Sequence, residues 1–345
     1  MKSDIAFIRM CYIKVLLAPV FDRFAISAPD LGIPRALYAD PMALVPMAEC
    51  LSWFAKIQTL CGDDYICSIA DKLSLAHMDV PGNWFLSAPD FAVSLRRINY
   101  GLSSFQSGSS YYVIQSGRII KWCYSNRYAE GQQRNYDSFR VAMTLLNTMR
   151  HHLGDDFTPH KIHLSGPTLQ HLQLEKVFGC PVVYNTGQTE IWADNTVLLQ
   201  SRHTEWLDNP TLTMPLSLFE KYLNMPQPDD TPKILYELVN YCRYYGLPSI
   251  DDVAEKIGLS KQQLQRRLQA KGFSFIYLRG YVLSNQAVKY MLEGKQVEEI
   301  SQLLGYGNKQ SFSKAFKTFR LCTPQQYLTR LKQHADLAGN PTRPA

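Results

Sequence analysis

Two runs of this 345-residue chain set amide and cationic side chains at helical spacing with no acid among them. Around Leu264 and Leu268, the residues Gln262, Gln265, Arg266 and Gln269 fall on the opposite side of a helical wheel, and Lys261 flanks them. Around Phe312 and Phe316 the corresponding set is Gln310, Ser313, Lys314 and Lys317, flanked by Lys309. A turn of about 100° per residue separates each apolar pair from its polar set. Gln can bond adenine through two atoms, Arg can do the same to guanine, and Lys serves guanine or phosphate. The chemistry on offer is the reading of base edges in a DNA groove. A merely solvated helix face mixes acids with bases, and neither face does so.

Other chemistries find less support. Gly305-x-Gly307 resembles the start of a phosphate loop, but such loops follow a strand. Here Val297, Ile300, Leu303 and Leu304 precede it at helical spacing, and Gln310 stands where the dinucleotide pattern has its third glycine. His151, His152, His160 and His163 cluster without any common zinc spacing. No G-x-S-x-G frame or other catalytic constellation is found. The expectation is no catalytic residue, no metal and no cofactor.

The elements that must position the two polar faces form a repeat. "SIDDVAEKIGLSKQQLQRRL" and "QVEEISQLLGYGNKQSFSKAF" share one plan, with Gly258 and Gly305 47 residues apart and the Leu and Phe pairs 48 apart. In each, a first helix packs inward through Ile250, Val253, Ala254 and Ile257, or through Val297, Ile300, Leu303 and Leu304. A glycine then permits a sharp turn, and Ser260 or Asn308 caps the second helix. This is a helix–turn–helix, whose second helix enters the major groove. A helix near Phe275 to Leu292 joins the copies, with Ile276, Val282, Ala287, Val288 and Met291 available to pack against both.

Charge divides the chain the same way. From Thr231 onward there are 17 Lys and Arg against 8 Asp and Glu, a net of +9, while the preceding residues carry 19 against 22. A basic last third behind a slightly acidic first part suits a nucleic-acid module fused to another domain. Three prolines and two aspartates in "NMPQPDDTP" mark the boundary. Ahead of it, residues up to about 110 read as helical, with Asp90 a candidate cap. "SYYVIQSGRIIKWCYSN" reads as a hairpin about Ser116-Gly117 and "YDSFRVAMTLLNTMRHHLG" as a helix. "KIHLSG" reads as a strand, "TLQHLQLEKVFG" as a helix, and "PVVYNTGQTEIWADNTVLL" as two strands about a glycine turn. The fold class expected is two domains: N-terminal mixed α/β with helices and a small, mostly antiparallel sheet, and C-terminal all-α with two helix–turn–helix units joined by a linker helix.

Eight cysteines without a C-x-x-C pair imply reduced, mostly buried thiols. Arg9 and Lys14 interrupt the apolar N-terminal run, so neither a signal peptide nor a membrane span is expected, and the protein is read as cytoplasmic.

Residues Lys233 to Leu331 resemble the AraC/XylS family of bacterial transcription regulators. The resemblance rests on "DVAEKIGLSKQQLQRRLQAKGFSF", on "YVLSNQAVKYML", on "EISQLLGYGNKQSFSKAFKTFRLCTPQQYL" and on its closing "TPQQY". The chain departs from the family where Leu283 and Leu328 replace a frequent Arg and Leu321 a frequent Gly. "VPMAECLSWFAKIQTLCGDDYICSIADKL", "SAPDFAVSLRRINYGLSSF" and "KIHLSGPTLQHLQLEKVFGCPVVYNTG" resemble the arabinose-binding-like domain of one subgroup. The resemblance implies residues 1–225 as an effector-sensing and dimerisation domain, 226–232 as linker, 233–331 as a double helix–turn–helix domain, and 332–345 as a flexible tail. It implies promoter DNA, a second copy of the chain, RNA polymerase and a small-molecule effector as partners. Regulation by a protein partner or by abundance, with no small-molecule ligand, is the alternative. Effector, operator and the sign of regulation stay open.

Overall fold

The computed structural model describes residues 5–167, 173–200 and 223–338. Contacts divide the chain into one unit over Ile5–Gln227 and a second from Pro228 onward. Each is built on its own core.

The first unit begins with β1 (Phe7–Arg9) and α1 (Met10–Phe24), followed by α2 (Arg35–Ala39), β2 (Leu44–Pro46), α3 (Met47–Cys61), α4 (Val80–Leu86) and α5 (Phe91–Gly101). β1 and β2 pair antiparallel, so this region is not purely helical as its periodicity suggested. Three-residue apolar strands have too little length to show a period. Arg9 is buried at the end of β1, where it donates to the carbonyls of Ser104, Met42 and Leu223. α5 starts where expected, with the Asp90 carboxylate accepting from the Val93 amide at 2.8 Å.

A sheet follows: β3 (Ser109–Ser116), β4 (Ile119–Asn126), β5 (Lys161–Ser165), β6 (Val182–Thr186) and β7 (Thr189–Asp194), in the order β3-β4-β7-β5-β6. All neighbours are antiparallel except β5 and β6, in line with a mostly antiparallel sheet. The first hairpin turns one residue later than expected, at Gly117-Arg118, where Gly117 takes a φ of +59°. β6 and β7 do flank Gly187, but β5 lies between them, so they do not form a hairpin. Helix α6 (Gly131–Leu153) is covered on nearly every side because it packs against β4, β5 and β7 and also against the N-terminal helices. The expected helix before Gly179 is seen as α7 (Leu174–Phe178), and its first part, residues 168–172, lies outside the described residues. All eight cysteines are unpaired and six are buried.

Polar residues run through the middle of this unit. Arg140, 2% exposed, donates to the Asp137 carboxylate at 2.8 Å. The other Asp137 oxygen accepts from Tyr124 at 2.7 Å and from Asn126 at 3.1 Å. The Arg140 guanidinium also lies 5.0 Å from the ring of Tyr12. Burial pushes the Tyr111 and Tyr124 phenols well above their ordinary range, which keeps them neutral donors.

The second unit is all helix: α8 (Thr231–Cys242), α9 (Ile250–Lys256), α10 (Lys261–Gln269), α11 (Phe275–Leu292), α12 (Val297–Leu303), α13 (Lys309–Arg320) and α14 (Pro324–Ala338). Val282, Ala287 and Met291 of α11 are buried, but Ile276 is 71% exposed and does not join the core expected of it. It lies in the first turn of the helix, ahead of the residues packed there, although the wheel puts it on the face that Leu283 and Ala287 bury. Leu283 and Leu328, both at positions where the family often carries Arg, enter one apolar cluster with Ile300, Leu304, Phe312 and Phe316. Both departures thus serve the core. Tyr327 of "TPQQY" packs edge-on against Phe316 with ring centres 5.6 Å apart, which seats α14 on α13. α14 continues to Ala338, beyond residue 332, where a tail was expected. Leu331 packs against the same cluster, and no Gly or Pro interrupts the helix before Gly339. Residues 339–345 lie outside the described residues.

Leu321 ends α13 in the left-handed region, at φ +58°, with its side chain 87% exposed. Glycine is common at such a cap because a Cβ is strained there. Leu321→Gly is therefore expected to raise the stability of this unit by about 0.5–1 kcal/mol, after the greater freedom of glycine in the unfolded chain is offset. Chemical denaturation checks this, and a variant less stable than the wild type would contradict the account of the cap.

Candidate nucleic-acid interface

Both recognition helices are started by a side-chain cap at the predicted residue. In the first copy, Gly258 turns the chain at φ +63° and Ser260 caps α10. The Ser260 hydroxyl accepts from the Gln263 amide at 3.2 Å, and the Gln263 side chain accepts from the Ser260 amide at 2.9 Å. In the second copy Gly305 turns at φ +75°, and the Asn308 side chain accepts from the Ser311 amide at 2.8 Å. The first helices share acids in the opening turn but not the cap, since Gln296 at the start of α12 makes no capping side-chain bond. Ser249 and Asp252 form a reciprocal cap on α9, and α12 opens with Glu298 and Glu299.

Burial sorts the two faces as the wheel requires. Leu264 and Leu268, and Phe312 and Phe316, are buried. Lys261, Gln262, Gln265, Arg266 and Gln269 are exposed on α10. Lys309, Gln310, Lys314 and Lys317 are exposed on α13, and Ser313 is half-buried. Val253 and Ala254 are fully buried on α9, with Ile250 and Ile257 half-buried at its ends.

Helix α11 and the segment ahead of α9 fix the spacing of the two copies. Asn285 of α11 donates to the Tyr236 hydroxyl on α8 at 3.4 Å and accepts from Arg320 of α13. A side chain at Gly280 would meet Phe319 of α13 at 2.1 Å, so the two helices approach closely there. Arg279 donates to the Pro248 carbonyl at 3.1 Å. A Cβ at Gly305 would lie 2.4 Å from the Leu247 backbone nitrogen. The turn of the second copy thus touches the loop that leads into the first.

Two acids on the neighbouring helices, invisible on a wheel of one helix, meet the opening lysines. Asp251 pairs with Lys261 at 3.0 Å, and Glu298 pairs with Lys309. The signal was present in the repeat, since aligning its copies places Asp251 over Glu298 as it places Lys261 over Lys309.

The histidines weighed as a metal cluster do different work. His152 is buried beside Phe91, and His163 on β5 faces Glu190 at 3.4 Å, its pKa lowered chiefly by burial. Among the described residues no three His, Cys, Asp or Glu side chains gather as a metal-holding group. No helix among them is long and apolar enough to cross a membrane.

Residues 28–201 match the family described as the arabinose-binding domain of AraC transcription regulators, N-terminal, and residues 253–330 match a helix–turn–helix domain. The chain belongs to the AraC family of transcription regulators. As an AraC-type regulator it is a DNA-binding helix–turn–helix protein that carries an arabinose-binding-like N-terminal domain. The chain is similar to the HTH-type transcriptional regulator YkgA of Escherichia coli K12, 32% identical over 113 residues, covering 31% of this chain and 46% of that one. It is similar to the HTH-type transcriptional regulator Mb1430 of Mycobacterium bovis, 36% identical over 84 residues and 24% of each chain. It is also 29% identical over 86 residues to the HTH-type transcriptional activator FapR of Escherichia coli, covering 25% of this chain and 33% of that one. The chain thus spans less than half the length of each. The crystal structure of the transcriptional regulator CdpR from Pseudomonas aeruginosa aligns over 91% of this chain and 98% of that one, with a TM-score of 0.42 and 16% identity.

Proposed function

We propose that this AraC-type regulator reads its operator with the exposed faces of α10 and α13, docked in successive major-groove segments on one side of the duplex. Lys261, Gln262, Gln265, Arg266 and Gln269 form the first reading face, and Lys309, Gln310, Ser313, Lys314 and Lys317 the second. The observation that carries this reading is the pair of outward faces whose own helices contribute no acid, each set by a capped helix after the same glycine turn. The first face, rich in Gln with one Arg, is suited to bidentate base contacts, and the second, rich in Lys, to guanine edges and phosphates. Arg266→Ala is expected to cost about 1–3 kcal/mol of operator binding and to relax preference at one base pair, while Lys317→Ala weakens all sequences alike and flattens the salt slope. Gel shifts on the operator and on base-substituted operators check this. Intact cognate binding by Arg266→Ala would remove the first face as a base reader.

Residues 1–225 serve in this proposal as the sensing and dimerisation domain, 226–232 as linker and 233–331 as the DNA-binding domain. The regulator acts in the cytoplasm, contacts RNA polymerase at the promoter and responds to a small molecule through its N-terminal domain. The family to which residues 28–201 belong supports a sensing role. A melting shift that saturates with a small molecule separates this from control by abundance or a protein partner. Pairing two such DNA-binding domains also raises operator affinity without new contacts to the bases of either site.

A further inference from the structure

The two helix–turn–helix copies share an ion pair that neither the core nor the caps require. α9 and α12 each open with two successive acids, Asp251-Asp252 and Glu298-Glu299. The second acid of each pair works locally: Asp252 caps Ser249, and Glu299 pairs with Lys295 at 2.7 Å. The first acid of each crosses the turn to the opening lysine of the recognition helix, Asp251 to Lys261 at 3.0 Å and Glu298 to Lys309. The Lys309 contact holds the Glu298 carboxyl below its ordinary range.

That lysine is in an unfavourable place for stability. It is the first residue of its helix, where the positive end of the backbone dipole disfavours a cation. It is well placed for a phosphate, which helix N-termini bind readily. All four partners are about half exposed or more, so the pairs are weak, salt-screened and easily exchanged. A carboxylate here competes with DNA phosphates for the same ammonium group and itself repels the DNA backbone.

We propose that Asp251 and Glu298 compete with DNA phosphates for Lys261 and Lys309, so that each acid weakens the grip of its recognition helix on DNA and sets the affinity of the domain. On arbitrary sequence, where the helices do not seat, each lysine stays with its carboxylate and contributes no phosphate contact. At the operator, seating brings a phosphate to each helix N-terminus and the lysine exchanges partners. Because the exchange breaks the ion pair, the acids weaken operator binding at least as much as arbitrary-sequence binding, where the phosphate contact is withheld. The inference rests on the placement of Lys261 and Lys309 at the DNA surface proposed above.

The test uses the full chain in fluorescence anisotropy on two duplexes of about two helical turns. One has arbitrary sequence, and the other is selected by the wild-type chain from a random pool. Asp251→Asn and Glu298→Gln are each expected to tighten arbitrary-sequence binding roughly three- to tenfold near 0.1 M salt and to steepen the salt slope by up to about one phosphate equivalent. Binding to the selected duplex should tighten at least as much, because the lysine no longer leaves a carboxylate to reach its phosphate, and Glu299→Gln, which loses only the pair to Lys295, should change neither. Lys309→Met should abolish the effect of Glu298→Gln. Unchanged or weaker arbitrary-sequence binding by both acid variants overturns the inference. So does an equal gain from Glu298→Gln in the Lys309→Met background, which indicates general repulsion rather than competition. Lys309→Met and Lys261→Met leaving both duplexes unaffected would overturn the DNA-facing placement as well, whereas losses from these variants with silent acids would leave that placement standing and remove the competition alone.

Discussion

Gly305→Ala is expected to cost the second unit about 4 kcal/mol or more, at the exceptional end for a single substitution. Two effects combine. The residue sits at φ +75°, and a Cβ would overlap backbone, 2.4 Å from the Leu247 nitrogen and 2.7 Å from the Gly246 carbonyl carbon. Backbone cannot rotate away as a flexible side chain can. The equivalent change in the first copy, Gly258→Ala, meets nothing within 4 Å and carries only the conformational strain, about 1–2 kcal/mol. A loss of several kcal/mol is a large part of the stability of a domain this size. Denaturation of the two variants, followed with DNA binding at a temperature where Gly258→Ala is folded, checks the contrast. Equal destabilisation would mean that the two copies do not touch as described. The consequence is geometric: the glycine that turns the second copy also lets it lean on the loop before the first, so the distance between the two proposed reading faces is built into the fold.

In the first unit the largest single loss is expected from Asp137→Ala. It removes the counterion of a guanidinium that is 2% exposed, and it strands the Tyr124 and Asn126 donors as well. Breaking a buried pair from one side costs about 3–5 kcal/mol. The Tyr12 ring beside Arg140 cannot replace a carboxylate, since such contacts contribute about 2 kcal/mol when desolvated. Replacing both partners, as in Asp137→Leu with Arg140→Met, should cost far less than the sum of the single changes, because no charge is then left buried. The double-mutant cycle is read from urea unfolding of this unit. Additive losses would show that Arg140 and Asp137 do not depend on each other.

How much of this was legible in the sequence varied with the kind of signal. The DNA-binding unit announced itself twice, and a repeat is hard to misread: Ser260 and Asn308 cap the helices they were expected to cap, and the buried pairs fall where the wheel places them. The sheet was harder. Its strands were visible as short apolar runs, but nothing in "VVYNTGQTEIW" reveals that β5 inserts between two strands separated by only two residues. Strand order is a tertiary property, set by what packs on α6. Arg9 was read as an interruption of an apolar run, yet it is buried, because three carbonyls from distant segments satisfy it. Leu321 was noted as a departure from a common Gly, and the structure supplies the reason, a left-handed backbone at a helix end. The acids opposite Lys261 and Lys309 were overlooked because a wheel of one helix shows nothing of its neighbour.

The central claim is that one chain reads two major-groove segments with α10 and α13. Guanine methylation interference tests it most directly, because the modified N7 lies in the major groove. For each bound chain, interference should appear in two clusters about ten base pairs apart on one side of the duplex. Gln265→Ala should alter one cluster and Lys314→Ala the other. A single cluster per chain, or two clusters that respond together to either substitution, would contradict the account.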